Sequence, residues 1–315
     1  MKIAFDARLE GAERAEWWRA LTDVLPDDDW VDAAVDGTSS ARWREADVAV
    51  VANPQPGRLA GCTQLKLIQS LWAGVDKLLA DATLPADVPL ARMVDPAMNR
   101  AMAETAAWAV LSVHRRAFDY AAQQRQTQWR VLPQRRADEL SVLVLGLGEM
   151  GRTAALQLAA LGYRVTGWSA RAKEVAGIAT SAGWAALPAA LGAADVVVNL
   201  LPLTPDTRGL FDRVRLAQMR AGASLVNLAR GAHVVEKDLL AALNAGHLAH
   251  AVLDVFDTEP LPSTHVFWFH PRVTSWPHAA AQTDLRTAAA VVAANVEAVR
   301  RGEAPAHLVD RSRGY

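Results

Sequence analysis

The chain has 315 residues, enough for two domains, and its 51% hydrophobic and 21% charged residues are typical of a soluble globular protein. A net charge of −1 gives no electrostatic reason to expect a nucleic acid or an anionic membrane as partner. The single cysteine, Cys62, excludes an intrachain disulfide, and we expect a buried side chain rather than a nucleophile. Because the sequence shows neither a signal-peptide segment nor an apolar stretch of bilayer-spanning length, we predict a cytoplasmic protein.

The N-terminal part of the chain alternates short apolar runs with helical patterns, which predicts a parallel sheet with crossover helices. The predicted strands are residues 2–5, 47–51 and 65–69. The predicted helices are residues 13–25 and 39–45. This first part ends near Asp95.

A long helical pattern follows over residues 97–128, with Trp108, Leu111 and Phe118 on one apolar stripe. Its second half is polar. We interpret the stretch as an interdomain helix followed by an arm that buries Trp129 against a second subunit, and an ordinary surface helix is the alternative.

The run at residues 141–145 (SVLVL) is typical of a strand buried on both faces. Further strands are predicted at residues 164–168, 195–200, 223–227, 249–253 and 272–274. Helices are predicted at residues 150–161, 187–191, 214–219, 236–244 and 278–301. This order predicts a doubly wound nucleotide domain, with the final helix returning to the first domain.

A glycine-rich loop, GLGEMG, follows the 141–145 strand directly and opens a predicted helix. Gly146 permits a tight turn, Gly148 allows the backbone to approach a pyrophosphate, and Gly151 allows the helix to pack against the strand. This context predicts a dinucleotide site rather than a structural glycine turn.

The end of the next strand bears on the choice of cofactor. An NAD site usually has an acid about 20 residues after the glycine loop, but no acid appears here before Glu174. Ser169, Arg171 and Lys173 would instead suit the 2′-phosphate of NADP(H). We predict that NADP(H) is preferred, and the alternative is that Arg171 and Lys173 point to solvent while NAD(H) binds.

Three further residues supply a cation, an acid and an imidazole: Arg230, Glu259 and His278. Each has a simpler interpretation, as a turn cap before Gly231, a surface acid and a residue at a helix N-terminus. Glu259 lies 29 residues after Arg230, and His278 lies 19 residues after Glu259.

The ordered motifs GLGEMG, NLARG, LDVFDTEPLP and PHAAA, with these spacings, resemble the D-2-hydroxyacid dehydrogenase family. The segments WSAR (168–171), NLLPLTPDTRGL (199–210) and NLARGAHVVEKDLLAAL (227–243) most resemble its glyoxylate/hydroxypyruvate reductase A branch. The resemblance implies that His278 is the general acid and that Arg230 binds the substrate carboxylate. It also implies that Glu259 orients the imidazole ring and helps to keep it protonated. A histidine suits this role because its ordinary pKa, about 6.5, lies near neutrality.

The resemblance also implies contacts from other loops. Substrate contacts are implied for Trp72, Ala73, Gly74, Arg230 and Trp276. Cofactor contacts are implied or predicted for Gly146, Gly148, Glu149, Met150, Gly151, Trp168, Ser169, Arg171, Lys173, Leu201, Pro202, Thr204, Ala229, Asp254 and His278. Trp276 stands where the family usually has Ser or Thr, and Met98 where many members have Asn, so the substrate's side chain stays open.

These observations predict an α/β protein with two doubly wound parallel-sheet domains, one Rossmann-type and one flavodoxin-like. The substrate domain would comprise residues 1–96 and 285–315, and the dinucleotide domain residues 97–284, including the arm 97–129. The predicted protein is an NADP-dependent reductase of short 2-oxo acids that forms a homodimer and needs no metal. The alternatives are a reductase of bulkier 2-oxo acids and a dinucleotide-sensing interaction protein without turnover.

Overall fold

The structure, a computed structural model, describes residues 1–315 and divides into two compact units. The first comprises Met1–Ala97 with Thr283–Tyr315, and the second comprises Met98–Gln282. Each unit contains one sheet whose strand pairs are all parallel, with five strands in the first unit and seven in the second. The predicted α/β class with two parallel sheets is therefore confirmed.

The sheet of the first unit has the strand order β2-β1-β3-β4-β5. Its strands are β1 (Lys2–Ala7), β2 (Asp29–Asp32), β3 (Val48–Ala52), β4 (Leu67–Ser70) and β5 (Leu90–Ala91). Its helices are α1 (Gly11–Val24), α2 (Ala41–Arg44), α3 (Asp76–Leu79) and the C-terminal helix α10 (Leu285–Arg300), which packs on α1 and β4. The three strands predicted here are present. Strands β2 and β5 were not predicted, because β2 contains two aspartates and β5 has only two residues.

The sheet of the second unit has the strand order β12-β11-β10-β9-β6-β7-β8. Its strands are β6 (Ser141–Leu145), β7 (Arg164–Ser169), β8 (Ala179–Ala182), β9 (Val196–Asn199), β10 (Ala223–Asn227), β11 (Leu248–Leu253) and β12 (Val273–Ser275). Its helices are α4 (Pro96–His114, which begins at the unit boundary), α5 (Ala117–Arg125), α6 (Glu149–Ala160), α7 (Leu187–Ala193), α8 (Arg213–Gln218) and α9 (Glu236–Asn244). The edge strand β8 was missed because its sequence, ATSA, is exposed and carries no apolar run.

Both faces of this second sheet are buried in apolar layers. Along β6, Val142 and Val144 belong to one hydrophobic cluster, whereas Leu143 and Leu145 belong to the other. This alternation follows from the two-residue period of a strand, and it explains why the sequence of β6 is continuously apolar. Full burial of each such side chain contributes about 1.5–3 kcal/mol to folding.

Two predicted helices differ from the structure. The pattern over residues 97–128 forms two helices, because the chain turns between α4 and α5 at Arg116, whose φ is 61°. Leu111 is more than a third exposed, so only Trp108 and Phe118 of the predicted stripe pack on the core. The last helix begins at Leu285 and not at residue 278, because Asp284 accepts a hydrogen bond from the Arg286 N–H and caps it there.

Cys62 is buried, as predicted, and its Sγ donates to the carbonyl oxygen of Trp43 at 3.4 Å. Burial raises the pKa of this thiol to about 11, so it is a poor nucleophile near neutrality. None of the helices combines the length and hydropathy that a bilayer crossing requires.

His250 on β11 makes the stability of the second unit depend on pH. Its ring stacks on Phe118 at 4.1 Å, its Nε2 lies 2.9 Å from Thr274 Oγ1, and burial lowers its pKa to about 4, with smaller contributions from His270 and Arg272. The unfolded chain, with a histidine pKa of about 6.5, therefore binds more protons between these values.

The contribution of His250 to the free energy of unfolding should thus be fully present above pH 6.5. It should fall by about 3 kcal/mol as the pH is lowered towards 4. Urea unfolding across this range should show the decrease, and His250→Gln should flatten it. An unchanged slope in the variant would contradict this assignment.

Candidate active site

The carboxyl ends of parallel strands meet at one edge of a sheet, which is where ligands bind in doubly wound folds. At this edge of the second unit, the loops after β6, β9, β10, β11 and β12 carry most of the residues predicted from the sequence.

The glycine loop between β6 and α6 is shaped by steric limits at two positions. A Cβ on Gly146, whose φ is 94°, would lie 2.6 Å from the carbonyl oxygen of Leu200, and a Cβ on Gly151 would lie 1.7 Å from that of Gly146. A Cβ on Gly148, by contrast, would meet no heavy atom within 4 Å. Gly148 is exposed and is the N-cap of α6, with no side-chain cap there. The loop thus has the open side and the helix N-terminus that a pyrophosphate requires. Glu149 and Met150 begin this helix.

The end of β7 carries the residues predicted to select the cofactor. The Ser169 hydroxyl donates to the carbonyl oxygen of Arg171 at 2.6 Å and holds this turn, while the Arg171 side chain is exposed. Lys173 Nζ donates to the carbonyl oxygen of Leu147 in the glycine loop at 3.3 Å. These residues fit a 2′-phosphate site beside the glycine loop.

The indole of Trp168 does not face the glycine loop, so the predicted cofactor contact is left to its backbone. Its side chain is fully buried in the apolar layer, and its indole N–H donates to the carbonyl oxygen of Gly183 at 3.0 Å. Only its backbone faces the loop, where its carbonyl oxygen accepts from the N–H of Gly146 at 2.8 Å. A cofactor contact by the indole is therefore excluded by burial.

The loop after β9 contains Leu201, Pro202 and Thr204, and Thr207 fixes its shape. The Thr207 hydroxyl donates to the carbonyl oxygen of Pro202 at 2.8 Å and accepts from the backbone N–H of Thr204 at 2.8 Å. Leu201 is buried beneath this loop. Thr207 was not predicted from the sequence, although the spacing T-x-x-T is a pattern that favours such local hydrogen bonds.

His278 and Glu259 form a hydrogen-bonded pair. His278 Nδ1 lies 2.9 Å from Glu259 Oε2, while Glu259 Oε1 accepts from the backbone N–H of Phe256 at 2.9 Å. The carboxylate is thus fixed by its own loop and fixes the imidazole in turn. Because Nδ1 faces Glu259, Nε2 is the ring nitrogen available to a substrate, and about half of the His278 side chain is exposed.

Asp254 holds the backbone that carries His278. Its carboxylate is almost fully buried and accepts from the N–H groups of Ala279 (2.7 Å) and Ala280 (3.1 Å), and its carbonyl oxygen accepts from the N–H of His278 at 2.8 Å. Burial raises the pKa of Asp254, although these two donors and His278 oppose that effect. His278 itself has a φ of 55°, so this clamp maintains a backbone conformation that few residues adopt. A nicotinamide contact for Asp254 stays a prediction.

Arg230 follows β10 and is half-buried. Its Nη1 donates to the carbonyl oxygen of Ala229 at 2.8 Å, which restricts the guanidinium. A Cβ on Gly231 would lie 1.8 Å from the carbonyl carbon of Phe256, so the Arg230 loop passes directly against the loop that leads to Glu259. The glycine after Arg230 is therefore required by packing and not only by a turn.

Trp276 stacks on Trp108 of α4 with ring centroids 4.3 Å apart, and Trp108 packs edge-to-face on Phe118. The indole of Trp276 is thereby fixed two residues before His278. Met98 is buried. A substrate contact for Trp276 stays a prediction.

In the first unit, the segment Trp72, Ala73 and Gly74 follows β4. The Ser70 hydroxyl accepts from the Trp72 N–H and donates to the Trp72 carbonyl oxygen, both at 3.0 Å, and the Trp72 ring packs edge-to-face on Trp17. The segment is half-buried and its backbone is firmly held. No cluster of His, Cys, Asp and Glu side chains suitable for a metal ion occurs in the structure.

A two-domain α/β fold with a glycine loop and an imidazole–carboxylate pair at the sheet edge defines a dinucleotide-dependent oxidoreductase class. The family model for D-isomer specific 2-hydroxyacid dehydrogenase, NAD binding domain, matches residues 107–280. This chain belongs to the D-isomer specific 2-hydroxyacid dehydrogenase family, as its motifs indicated.

Relatives cover nearly the whole chain. The glyoxylate/hydroxypyruvate reductase A of Yersinia enterocolitica is 41% identical and covers 96% of this chain and 97% of its own. That of Serratia proteamaculans is 42% identical over the full length of both.

Solved structures of two related enzymes also match nearly the whole chain. A 2-hydroxyacid dehydrogenase of Xanthobacter autotrophicus Py2, in complex with NADPH and MES, has a TM-score of 0.94 at 40% identity and covers 99% of each chain. The NADPH-dependent glyoxylate/hydroxypyruvate reductase of Sinorhizobium meliloti, in complex with NADP and sulfate, has a TM-score of 0.91 at 34% identity with the same coverage.

Proposed function

We propose that this protein is an NADPH-dependent reductase of short 2-oxo acids, such as glyoxylate and hydroxypyruvate, and that it forms D-2-hydroxy acids. The observation that carries the proposal is the His278–Glu259 pair at the sheet edge that also holds the glycine loop. Full-length relatives with that activity in their names support it.

The glycine loop and the turn at Ser169 and Arg171 would hold NADPH, which would supply the hydride for the carbonyl carbon. His278 donates the proton from Nε2 to the carbonyl oxygen, so the oxo group becomes a hydroxyl. Glu259 accepts the hydrogen bond from Nδ1 of the ring, which keeps Nε2 directed outwards. Asp254 holds the backbone of His278, so that the ring stays in place while the proton is transferred.

Arg230 binds the substrate carboxylate through its planar guanidinium and polarises the adjacent carbonyl. Its tether to Ala229 reduces the side-chain entropy that binding would otherwise cost. The carboxylate contacts of Ala73 and Gly74 stay predictions from the resemblance.

The size of the substrate's side chain depends on the residues that surround His278. The stacked pair of Trp276 and Trp108 places an apolar wall near His278, which favours bulkier 2-oxo acids as the alternative class. Values of kcat/KM for glyoxylate, hydroxypyruvate and phenylpyruvate separate the two. We expect the two small acids to be better substrates, and a preference for phenylpyruvate would support the alternative. A sensing protein would bind NADPH without turnover of any of them.

The cofactor preference rests on Arg171. We expect Arg171→Ala to raise the KM for NADPH by about 10- to 100-fold and to leave the KM for NADH nearly unchanged, because the guanidinium contributes charge-assisted hydrogen bonds only to a 2′-phosphate. Arg213→Ala, at another exposed arginine of the same unit, is the matched control. Equal losses with both cofactors would show that Arg171 does not select between them.

We further propose that the chain forms a homodimer through the arm that follows α5. Trp129 and Val131 are 99% and 81% exposed, an unusual state for large apolar side chains in an isolated chain. The Gln123 amide nitrogen on α5 is buried without a partner and lines the groove beside them. These features fit an arm that is covered by a second copy.

Trp129→Glu should weaken this dimer at least about thirtyfold, because a buried tryptophan is a typical interface anchor. Light scattering across a dilution series measures the change, with Val35→Glu, at a valine of the first unit that is 82% exposed, as control. A wild-type chain that is monomeric at all concentrations would contradict the proposal. The cytoplasmic location stays a prediction from the sequence.

A further inference from the structure

Three fully buried polar side chains connect the loop after β9 with the loop after β10. Asn199 and Asn227 are the last residues of these neighbouring strands and are paired in register. His233 ends the short 3-10 turn Gly231–His233 that follows Arg230. The reaction described above makes no use of any of the three.

Backbone donors fix the orientation of both amides. Asn199 Oδ1 accepts from the N–H of Leu201 at 3.3 Å, so its Nδ2 donates to Asn227 Oδ1 (2.9 Å) and to His233 Nδ1 (3.0 Å). Asn227 Oδ1 also accepts from the N–H of Ala229 at 3.3 Å, and its Nδ2 donates to the carbonyl oxygen of Arg230 at 2.9 Å. Neither amide can be reversed without breaking one of these bonds.

The same network fixes the tautomer of His233. Because Nδ1 accepts from an amide N–H, the proton lies on Nε2, which donates to the carbonyl oxygen of Pro202 at 3.3 Å. A continuous series of hydrogen bonds therefore runs from Pro202 through His233, Asn199 and Asn227 to the backbone of Arg230. In a fully buried setting such bonds hold both loops in one arrangement.

We propose that Asn199, Asn227 and His233 are positioning residues that couple cofactor binding at the Leu201–Pro202 loop to substrate binding at Arg230. The inference rests on the proposed function, since it takes the cofactor and the oxo acid from it. Occupation of one loop fixes the other, and by thermodynamic linkage each ligand tightens the binding of the other by the same factor.

Two variants cut the series at different bonds. His233→Asn retains an acceptor near the Nδ1 position but has no atom that reaches Pro202. His233→Gln reaches Pro202 but loses the acceptor for Asn199, and its side chain fills more of the site than asparagine does. Asn295→Ser in the first unit, which removes a different buried amide bonded to Gln69, is the control for general destabilisation.

The measurement is the dissociation constant of oxamate, an unreactive analogue of a 2-oxo acid, with and without saturating NADPH, by calorimetry. We expect NADPH to tighten oxamate binding about 5- to 150-fold in the wild type and the control. In each folded His233 variant this factor should fall at least about threefold, because the series of hydrogen bonds between Pro202 and Arg230 is interrupted.

The positioning role alone would be overturned if both His233 variants kept the wild-type coupling factor. It would also be overturned if a wild type that binds both ligands showed no coupling between them. A wild type that binds no NADPH would overturn the proposed function, and this inference with it.

Discussion

Replacing His278 with asparagine is expected to lower kcat for 2-oxo acid reduction by about 10²- to 10⁴-fold, because the proton donor at Nε2 is removed. Asparagine is the appropriate substitution, since the residue has a φ of 55° and asparagine tolerates the left-handed region better than alanine does. Its side chain also keeps a polar group near Glu259. NADPH binding should stay within a few-fold of the wild type.

His270→Asn is the matched control, at a partly exposed histidine of the same unit whose Nε2 lies 3.3 Å from Asn244 Oδ1. It should leave kcat unchanged. Wild-type turnover by the His278 variant would remove this residue from the mechanism, and with it the significance of the Glu259 pair.

Replacing Arg230 with glutamine is expected to reduce kcat/KM for the oxo acid by about 10²- to 10³-fold, similar to the loss of a donor to developing oxyanion charge. Both the carboxylate contact and the polarisation of the carbonyl are lost, so KM should rise and kcat should fall together. Arg230→Lys should recover only part of the loss, because an ammonium group cannot form the planar bidentate contact.

Steady-state kinetics with glyoxylate, together with NADPH titration in the absence of substrate, separates this effect from a cofactor defect. Arg213→Gln on α8 is the surface control. If Arg230→Gln weakened NADPH binding as much as it weakened turnover, the arginine would belong to the cofactor site instead.

The sequence predicted most of what builds the sheet edge. Strands β6 and β10 have the predicted bounds, and β6 was predictable because a strand buried on both faces can be almost continuously apolar. The glycine loop was predictable because Gly146 and Gly151 admit no side chain. The pairing of Glu259 with His278 was predicted from family spacing, and the structure places their side chains 2.9 Å apart.

Other features depend on contacts between segments that are distant in sequence. The break at Arg116 and the loop around His278 require left-handed backbone, which no apolar periodicity reports. The clamp of Asp254 on Ala279 and Ala280 joins residues 25 and 26 positions apart. Trp168 was assigned to the cofactor from its motif, but its strand position directs the indole into the core.

The most direct test of the proposed function is the reduction of glyoxylate and hydroxypyruvate by the purified wild-type protein. NADPH consumption and the amount and handedness of the hydroxy acid would be measured in the same reaction, with NADH in parallel. We expect hydroxypyruvate to give one D-2-hydroxy acid, and glyoxylate one glycolate, for each NADPH consumed. We also expect a lower kcat/KM with NADH. A protein that binds NADPH but reduces neither acid would contradict it.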